Sequence, residues 1–421
     1  MIVYKFGGAS VRSAEGIKNI VSIVSEVRDD LFIVVSAMGK TTNAMEQALA
    51  CFMRAEKEDA WAHLAAVQQF HAEICNALFK TENETVQILS PIFAEIKELI
   101  MDGVGDDYDR WYDHLVSYGE IISTTIVAAY LKTQNIDSKW LDMRKLLITD
   151  SNFREANVNI DESRKNLRQA VDFQKHKIYI GQGFIGANLK GVPTTLGREG
   201  SDYTAAVVAN LLNAKSVTIW KDVPGILNAD PRIFKNTVLI PELTYADAVE
   251  LAYSGAQIIH PKTIKPLENE NIPLFVRPFA NPDQKGSIIK DKTQKPIDIP
   301  VLILRANQTL VSIRPRDFSF VLEDSLSHAF GLLTKHRIKV SLIQSSAVSI
   351  SVCVDNTRYL PAALDELANN YRVTYNDNLQ LLTIRGTNRK IEQETTADKE
   401  ILLSQHTRRI SRYLLRAKNR S

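Results

Sequence analysis

The chain has 421 residues, 45% of them hydrophobic, and 51 Lys and Arg against 49 Asp and Glu leave a formal charge of +2. That length favours two or three domains with full cores, and so balanced a charge excludes a chain that finds a polyionic partner through its net field. Three cysteines, Cys51, Cys75 and Cys353, lack metal-ligand spacing and are too few for a disulfide framework, which favours a reducing compartment. No run of 18 apolar residues offers a membrane span. A strand starting at Ile2 is read as leaving no room for a signal or transit peptide, so the expected location is cytoplasmic.

Residues 2–6, IVYKF, read as a short strand stopped by Gly7-Gly8. Lys5 thus ends a strand before a glycine turn, whose N–H groups can form an anion nest while the lysine follows a transferring phosphoryl group; an exposed strand lysine fits the same residues. Runs at 31–35, 178–181, 217–220 and 274–276 alternate with helical patterns, as a mostly parallel sheet flanked by helices requires. Residues 43–133 are helical almost throughout, including 60–80 and 85–101, and read as a helical insertion in this α/β unit.

The stretch TLGREGSDYTA at 195–205 sets two glycines, Arg198 and Asp202 before an apolar helical run. Ser201 or Asp202 is expected to cap a helix reaching Leu212. The segment reads either as an anion site at a helix N-terminus, with Arg198 as a planar fork for a carboxylate or phosphate, or as a glycine loop before a capped helix. No G-x-x-x-x-G-K-[ST] run occurs and no G-x-G-x-x-G follows a strand, so the P-loop and dinucleotide fingerprints are absent. KPIDIP at 295–300 looks like a boundary, placing the domain break near 300. Beyond it, a strand at 309–313, a helix at 325–336, strands at 340–343 and 348–354, a helix at 360–368 and strands at 372–375 and 379–384 describe a small antiparallel sheet with helices on one face. The tail carries Arg408, Arg409, Arg412, Arg416, Lys418 and Arg420 without an acid, and Ile410, Leu414 and Leu415 recur at helical spacing. It reads as a basic helix covering its own domain or a partner subunit, not as a nucleic-acid or membrane site.

KFGGAS at the start, SAMGKTTN at 36–43, SYGE at 117–120, the 195–205 loop, IWKDVPGILNADPR at 219–232 and GAQIIHPKTI at 255–264 stand in the order and spacing of aspartate kinases. The whole chain resembles that family. The resemblance implies an amino acid kinase fold, a mostly parallel sheet between helices, over 1–300. An α+β ACT-like regulatory domain over 301–421 is implied to follow, with a second ACT unit truncated after about 386. The implied reaction moves the ATP γ-phosphoryl group to the side-chain carboxylate of L-aspartate, the first step toward lysine, threonine and methionine. Mg²⁺ is held mainly by the nucleotide phosphates, with no protein metal site, and the chain is implied to be a homodimer through the ACT-like region.

A carboxylate with a pKa near 4 is already ionised at neutral pH, so the nucleophile needs no general base; two anions must instead be positioned and their charge neutralised. Lys5, Gly7, Gly8 and Ser10 fit the phosphate side. Lys5 and Asp202 are the implied catalytic pair, Asp202 orienting Lys5. Arg198 fits the substrate α-carboxylate, Glu120 its α-ammonium, and Thr195 and Ser201 are implied hydroxyl donors. Lys221, Asp222, Gly225 and Arg232 lie in the segment implied to hold ribose and phosphates.

Some positions depart from the family pattern. Ala9 replaces a threonine, Leu227 a tyrosine, and Gln257 a lysine whose role would pass to Lys262. Glu199 replaces a glycine and is expected to point to solvent. Ser341 and Ala347 stand where lysine-sensitive members carry an aspartate and a glutamate for the effector's ammonium, so feedback by lysine is expected to be weak or absent.

Overall fold

The five residues Ile2–Phe6 form β1, at the centre of the fold, and their alternation decides what each face receives. The computed structural model describes every residue except 102, 257–258, 294–296, 317–322, 387–388 and 418–421. After β1 come α1 (Ala14–Ser25), β2 (Leu31–Val35) and the helical insertion α2 (Thr41–Met53), α3 (Lys57–Leu78), α4 (Glu82–Met101) and α5 (Tyr108–Thr133). The chain continues through β3 (Ser138–Leu141), β4 (Ile148–Thr149), α6 (Ile160–Ala170), β5 (Ile178–Gln182), β6 (Ile185–Asn188), β7 (Pro193–Thr195) and α7 (Gly200–Leu211). It then forms β8 (Val217–Lys221), β9 (Glu242–Thr244), α8 (Tyr245–Tyr253), α9 (Pro261–Asn269), β10 (Leu274–Pro278) and β11 (Ser287–Lys290).

Eight strands make one sheet in the order β3-β5-β2-β1-β8-β10-β11-β9. Every neighbouring pair is parallel except β10 with β11. As fully buried parallel strands require, β2 and β5 have no exposed residue. Tyr4 and Phe6 join the core formed with α1 to α5, so Lys5 points to the other face, where α7 packs on β1, β2 and β8. A second, three-stranded sheet, β4-β6-β7, was not expected; its strands are two to four residues long and carry no periodic signal.

By compactness the chain divides into Met1–Leu227 with Leu239–Ala252 and Gln257–Pro296, and a second unit of Asn228–Val238, Tyr253–Ala256 and Ile297–Ser421. The second unit contains β12 (Val301–Pro315), α10 (Glu323–Lys335), β13 (Val340–Ser346), β14 (Ser349–Asp355), α11 (Leu360–Asn370), β15 (Tyr371–Arg385), α12 (Arg389–Thr396), β16 (Lys399–His406) and β17 (Ile410–Ala417). Its antiparallel sheet runs β13-β14-β12-β15-β17-β16, and α10 and α11 bury Leu333, Leu360 and Leu367 against Val311, Ile350 and Val352.

Two readings of this unit are corrected. The strands expected at 372–375 and 379–384 are one strand, β15, which absorbs the turn-like Asp377-Asn378 as an irregularity: Asn307 and Asn378 take left-handed φ of 55° where the pairing with β12 shifts register. Over Ile410–Ala417 the tail is β17, not a helix, and Lys418 and Arg420 lie outside the described residues. Tyr413 and Leu415 pack on one face and Leu414 on the other, so an apolar strand buried on both sides imitated helical spacing. Among the described residues no helix is long and apolar enough to cross a membrane, and the three cysteines are free and buried.

Candidate functional site

At the C-terminal ends of β1 and β8, which pair in parallel, Lys5 and Lys221 meet one carboxylate from α7. Lys5 Nζ lies 2.6 Å from Asp202 Oδ1 and Lys221 Nζ 3.4 Å from Oδ2. Lys5 and Asp202 are 8% and 2% exposed, so this is charge held inside the protein. Burial alone would push the Asp202 carboxyl up; the two ammonium groups reverse this and hold it below the ordinary value. Asp202 also lies in the first turn of α7, where the helix dipole favours an anion. Glu199 occupies the N-cap position without a side-chain capping hydrogen bond, and Ser201 and Asp202, expected as caps, lie inside the first turn, available to the site.

The glycine turn after β1 is built by close approach. A Cβ on Gly8 would stand 2.6 Å from the Ala37 carbonyl oxygen, and Gly39 donates its N–H to the Gly8 carbonyl at 3.0 Å. Ser10 N–H closes the turn on the Gly7 carbonyl at 2.9 Å, and among the described residues the N–H groups of Gly8 and Ala9 find no backbone carbonyl. Donors of this kind beside Lys5 suit an anion.

Glu120 reaches the same region from α5. It is 3% exposed, the Ala37 N–H donates to its carboxylate, and its Oε2 has no hydrogen-bond partner. Burial pushes its carboxyl up to about 8, against the pull of the Ala37 amide and the Lys5 charge. A buried carboxylate with a vacant acceptor is a receptor for a cationic donor.

The 195–201 loop divides its residues differently from the expectation. Arg198 is exposed, with no acidic partner among the described residues, and Ser201 is 8% exposed, packed against Gly183. Thr195 is committed elsewhere: its N–H donates to Asp113 Oδ2 at 2.8 Å and its hydroxyl to Asp113 Oδ1 at 2.6 Å. One hydroxyl has one proton, so the donor role expected of Thr195 is corrected to a structural one. Asp113 was missed, although the seven-residue spacing to Glu120 on one helix is a signal that the two share a face.

Glu199 adopts φ of 53°, the left-handed region in which glycine is favoured, and it does not simply face solvent. One of its carboxylate oxygens is buried, and its charge, after that of Asp202, helps raise the Lys221 ammonium above its ordinary value against the effect of burial. The second cation at Asp202 is therefore Lys221. Lys262, expected to take over from a lysine at 257, adds a minor charge to the field at Asp150, and Gln257 lies outside the described residues.

A model of the amino acid kinase family matches residues 1–278. The chain belongs to that family. Lysine-sensitive aspartokinase 3 of Escherichia coli (strain K12) is 34% identical over 85% of this chain and 79% of its own length. Aspartokinase of Chlamydia trachomatis serovar D is 32% identical over 77% of this chain and 73% of its own length. The crystal structure of E. coli aspartokinase III in complex with aspartate and ADP matches with a TM-score of 0.88 at 30% identity, over 99% of this chain and 96% of that one. The chain stands among the aspartokinases, its kinase region followed within the same chain by a C-terminal regulatory region.

Within this amino acid kinase, Lys221 is the residue expected on the nucleotide side that reaches Asp202, and the charge of Asp222 also acts on Lys221. Asp222 is exposed just after β8. Gly225, at φ 148°, is required by packing, since a Cβ would meet Leu239 Cδ1 and Ser287 Oγ at 2.7 Å each. Arg232 lies in the Asn228–Val238 segment grouped with the second unit and holds Asp230 through two donors, at 3.0 and 2.7 Å.

The buried Glu120 sets a stability test. Its folded pKa of about 8 lies above the unfolded 4.5, so between those values the folded state keeps a proton that the unfolded state has lost, and stability falls as pH rises. Glu120→Gln removes that slope. The unfolding free energy of the variant relative to the native chain is expected to climb steadily from pH 5 to pH 8, by at most about 1.4 kcal/mol per pH unit; a pH-independent difference would contradict the assignment.

Proposed function

We propose that this chain is an aspartate kinase that transfers the γ-phosphoryl group of ATP to the β-carboxylate of L-aspartate, giving 4-phospho-L-aspartate. The observation that carries the reading is Glu120, a buried carboxylate with an open acceptor within the field of Lys5. Phosphoryl transfer needs cations at the phosphates, and an amino-acid acceptor needs an anion for its ammonium a short distance away. In this reading Lys5, oriented by Asp202, follows the transferring group, with Gly7, Gly8 and Ser10 around the phosphates. Lys221 supplies a second cation, and Asp222, Gly225 and Arg232 are proposed for the rest of the nucleotide. Glu120 reads the α-ammonium, Arg198 the α-carboxylate, and Ser201 donates its hydroxyl.

The acceptor carboxylate is ionised at neutral pH, so no base is assigned. Mg²⁺ is proposed to enter on the nucleotide phosphates and to add charge neutralisation there. The second unit is proposed as an ACT-like regulatory region through which the chain dimerises. Three free, buried thiols fit a reducing compartment such as the cytoplasm, where the product would enter lysine, threonine and methionine synthesis.

An acetylated acceptor is disfavoured because it would leave Glu120 without a cation. Trapping the acyl phosphate as its hydroxamate, with ATP and Mg²⁺, is expected to give product with L-aspartate and none above background with L-glutamate or N-acetyl-L-glutamate. No product with any acceptor would instead support a catalytically silent sensor.

Regulation by lysine is expected to be weak. Ser341 on β13 accepts a hydrogen bond from Arg305 Nη1 at 2.8 Å, and Arg305 Nη2 is held by Asp355 at 2.6 Å, so a guanidinium already stands beside the position an effector's ammonium would need. Titrating lysine into the assay should leave the rate unchanged through the sub-millimolar range. Half-maximal inhibition within that range would contradict this reading.

A further inference from the structure

Asp113 is fully buried and carries an unusual load. Its carboxylate accepts three hydrogen bonds: from the Thr195 hydroxyl at 2.6 Å, the Thr195 N–H at 2.8 Å and the Arg154 N–H at 2.9 Å. It sits on α5 seven residues before Glu120, two turns along the same face and about 10 Å away along the axis.

We propose that Asp113 is a positioning residue for the substrate, fixing the root of the Arg198 loop so that Arg198 and Glu120 are held at a set spacing by one rigid helix. The inference rests on the aspartate-kinase reading above. Only Leu196 and Gly197 separate Thr195 from Arg198, and Gly197 turns at φ 78°. A Cβ on Gly197 would lie 3.2 Å from the Arg154 carbonyl oxygen, so the Arg154 loop backs that turn. Ala156 also donates its N–H to the Thr195 carbonyl at 2.9 Å.

The Arg154 loop is itself tied down. Its φ is 69°, its guanidinium stands 3.9 Å from the centre of the Tyr112 ring on α5, and it forms ion pairs with Glu46 at 3.2 Å and Asp109 at 3.8 Å. Asp113 thus connects helix, Arg154 loop and Arg198 loop through a single side chain. A carboxylate accepts all three donors at once. An amide has one oxygen for the two N–H donors; its NH₂ would force the Thr195 hydroxyl to reverse from donor to acceptor, and the charge that strengthens all three bonds would be lost. Burial pushes the Asp113 carboxyl up to about 6, against these three hydrogen bonds and the Arg154 charge, so ionisation of this group depends on the contacts it organises.

A merely structural aspartate would lower stability and every kinetic constant together, whereas a positioning residue separates them. In the full chain, Asp113→Asn is expected to raise KM for L-aspartate about tenfold or more, because misplacing a binding group by a fraction of an ångström is costly. KM for ATP and kcat at saturating aspartate should stay within about twofold. Combined with Arg198→Ala, Asp113→Asn should cost no further kcat/KM, because both changes remove one function. Thr195→Val, which deletes only the hydroxyl donor, is the second variant and should shift KM for aspartate in the same direction by less.

Equal losses in kcat and both KM values, additivity with Arg198→Ala, or an unchanged KM in both single variants would overturn the proposal. Aspartate turnover by the native chain is measured alongside. Its absence would refute the kinase reading, whereas its presence with an unaltered Asp113→Asn KM would refute this inference alone.

Discussion

A single buried carboxylate, Asp202, shared between Lys5 and Lys221, is the constraint from which the rest of the first unit follows. Two lysines and an aspartate removed from water are costly unless each finds its counter-charge, and removing one member of such a set costs about 3–5 kcal/mol. The parallel pairing of β1 with β8 brings the two lysines to the same end of adjacent strands, and α7 on that face brings the carboxylate between them. Taken alone, the three side chains carry one net positive charge, with the Glu199 carboxylate also acting on Lys221. In the proposed reading that fixed arrangement faces the transferring phosphoryl group.

Around that centre the fold divides the labour by element. In the proposed reading the strands and their glycine turn carry the phosphate-facing groups, the helical insertion carries the carboxylate for the substrate ammonium, and the loop before α7 carries Arg198 for the substrate carboxylate. α5 is the link, because it packs against β2, β3 and β5 while presenting Asp113 and Glu120 from one face. Glu120 tolerates its burial by keeping its proton to a higher pH than an ordinary carboxyl; Asp113 tolerates its own by accepting three donors. The two carboxylates differ in what satisfies them. One is left open for a ligand and the other is closed by the protein.

Features encoded by neighbours in sequence were legible. The Lys5 strand and its glycine stop, the alternating strands and helices, and the long helical insertion all follow from local periodicity and turn chemistry. Asp202 beside Lys5 was legible through the resemblance of the motifs to aspartate kinases. Hidden features depended on distance in sequence or on burial. The β4-β6-β7 sheet is too short to show a period, and the role of Thr195 is decided by a residue 82 positions away. Burial on both faces of β17 erased the alternation that marks a strand. Glu199 looked like a misplaced charge because sequence does not show that its left-handed backbone turns the side chain toward Lys221.

The most direct test of the shared carboxylate is the single-turnover rate of Asp202→Asn with saturating ATP, Mg²⁺ and L-aspartate, on protein whose fold is confirmed by its thermal transition. An amide keeps the shape and removes the charge that fixes both lysines, so the rate is expected to fall at least about a hundredfold, as losses of preorganised charge do. A rate within about threefold of the native chain, with the fold intact, would mean that Lys5 and Lys221 do not depend on Asp202 for their placement, and would contradict the central role given to that interaction.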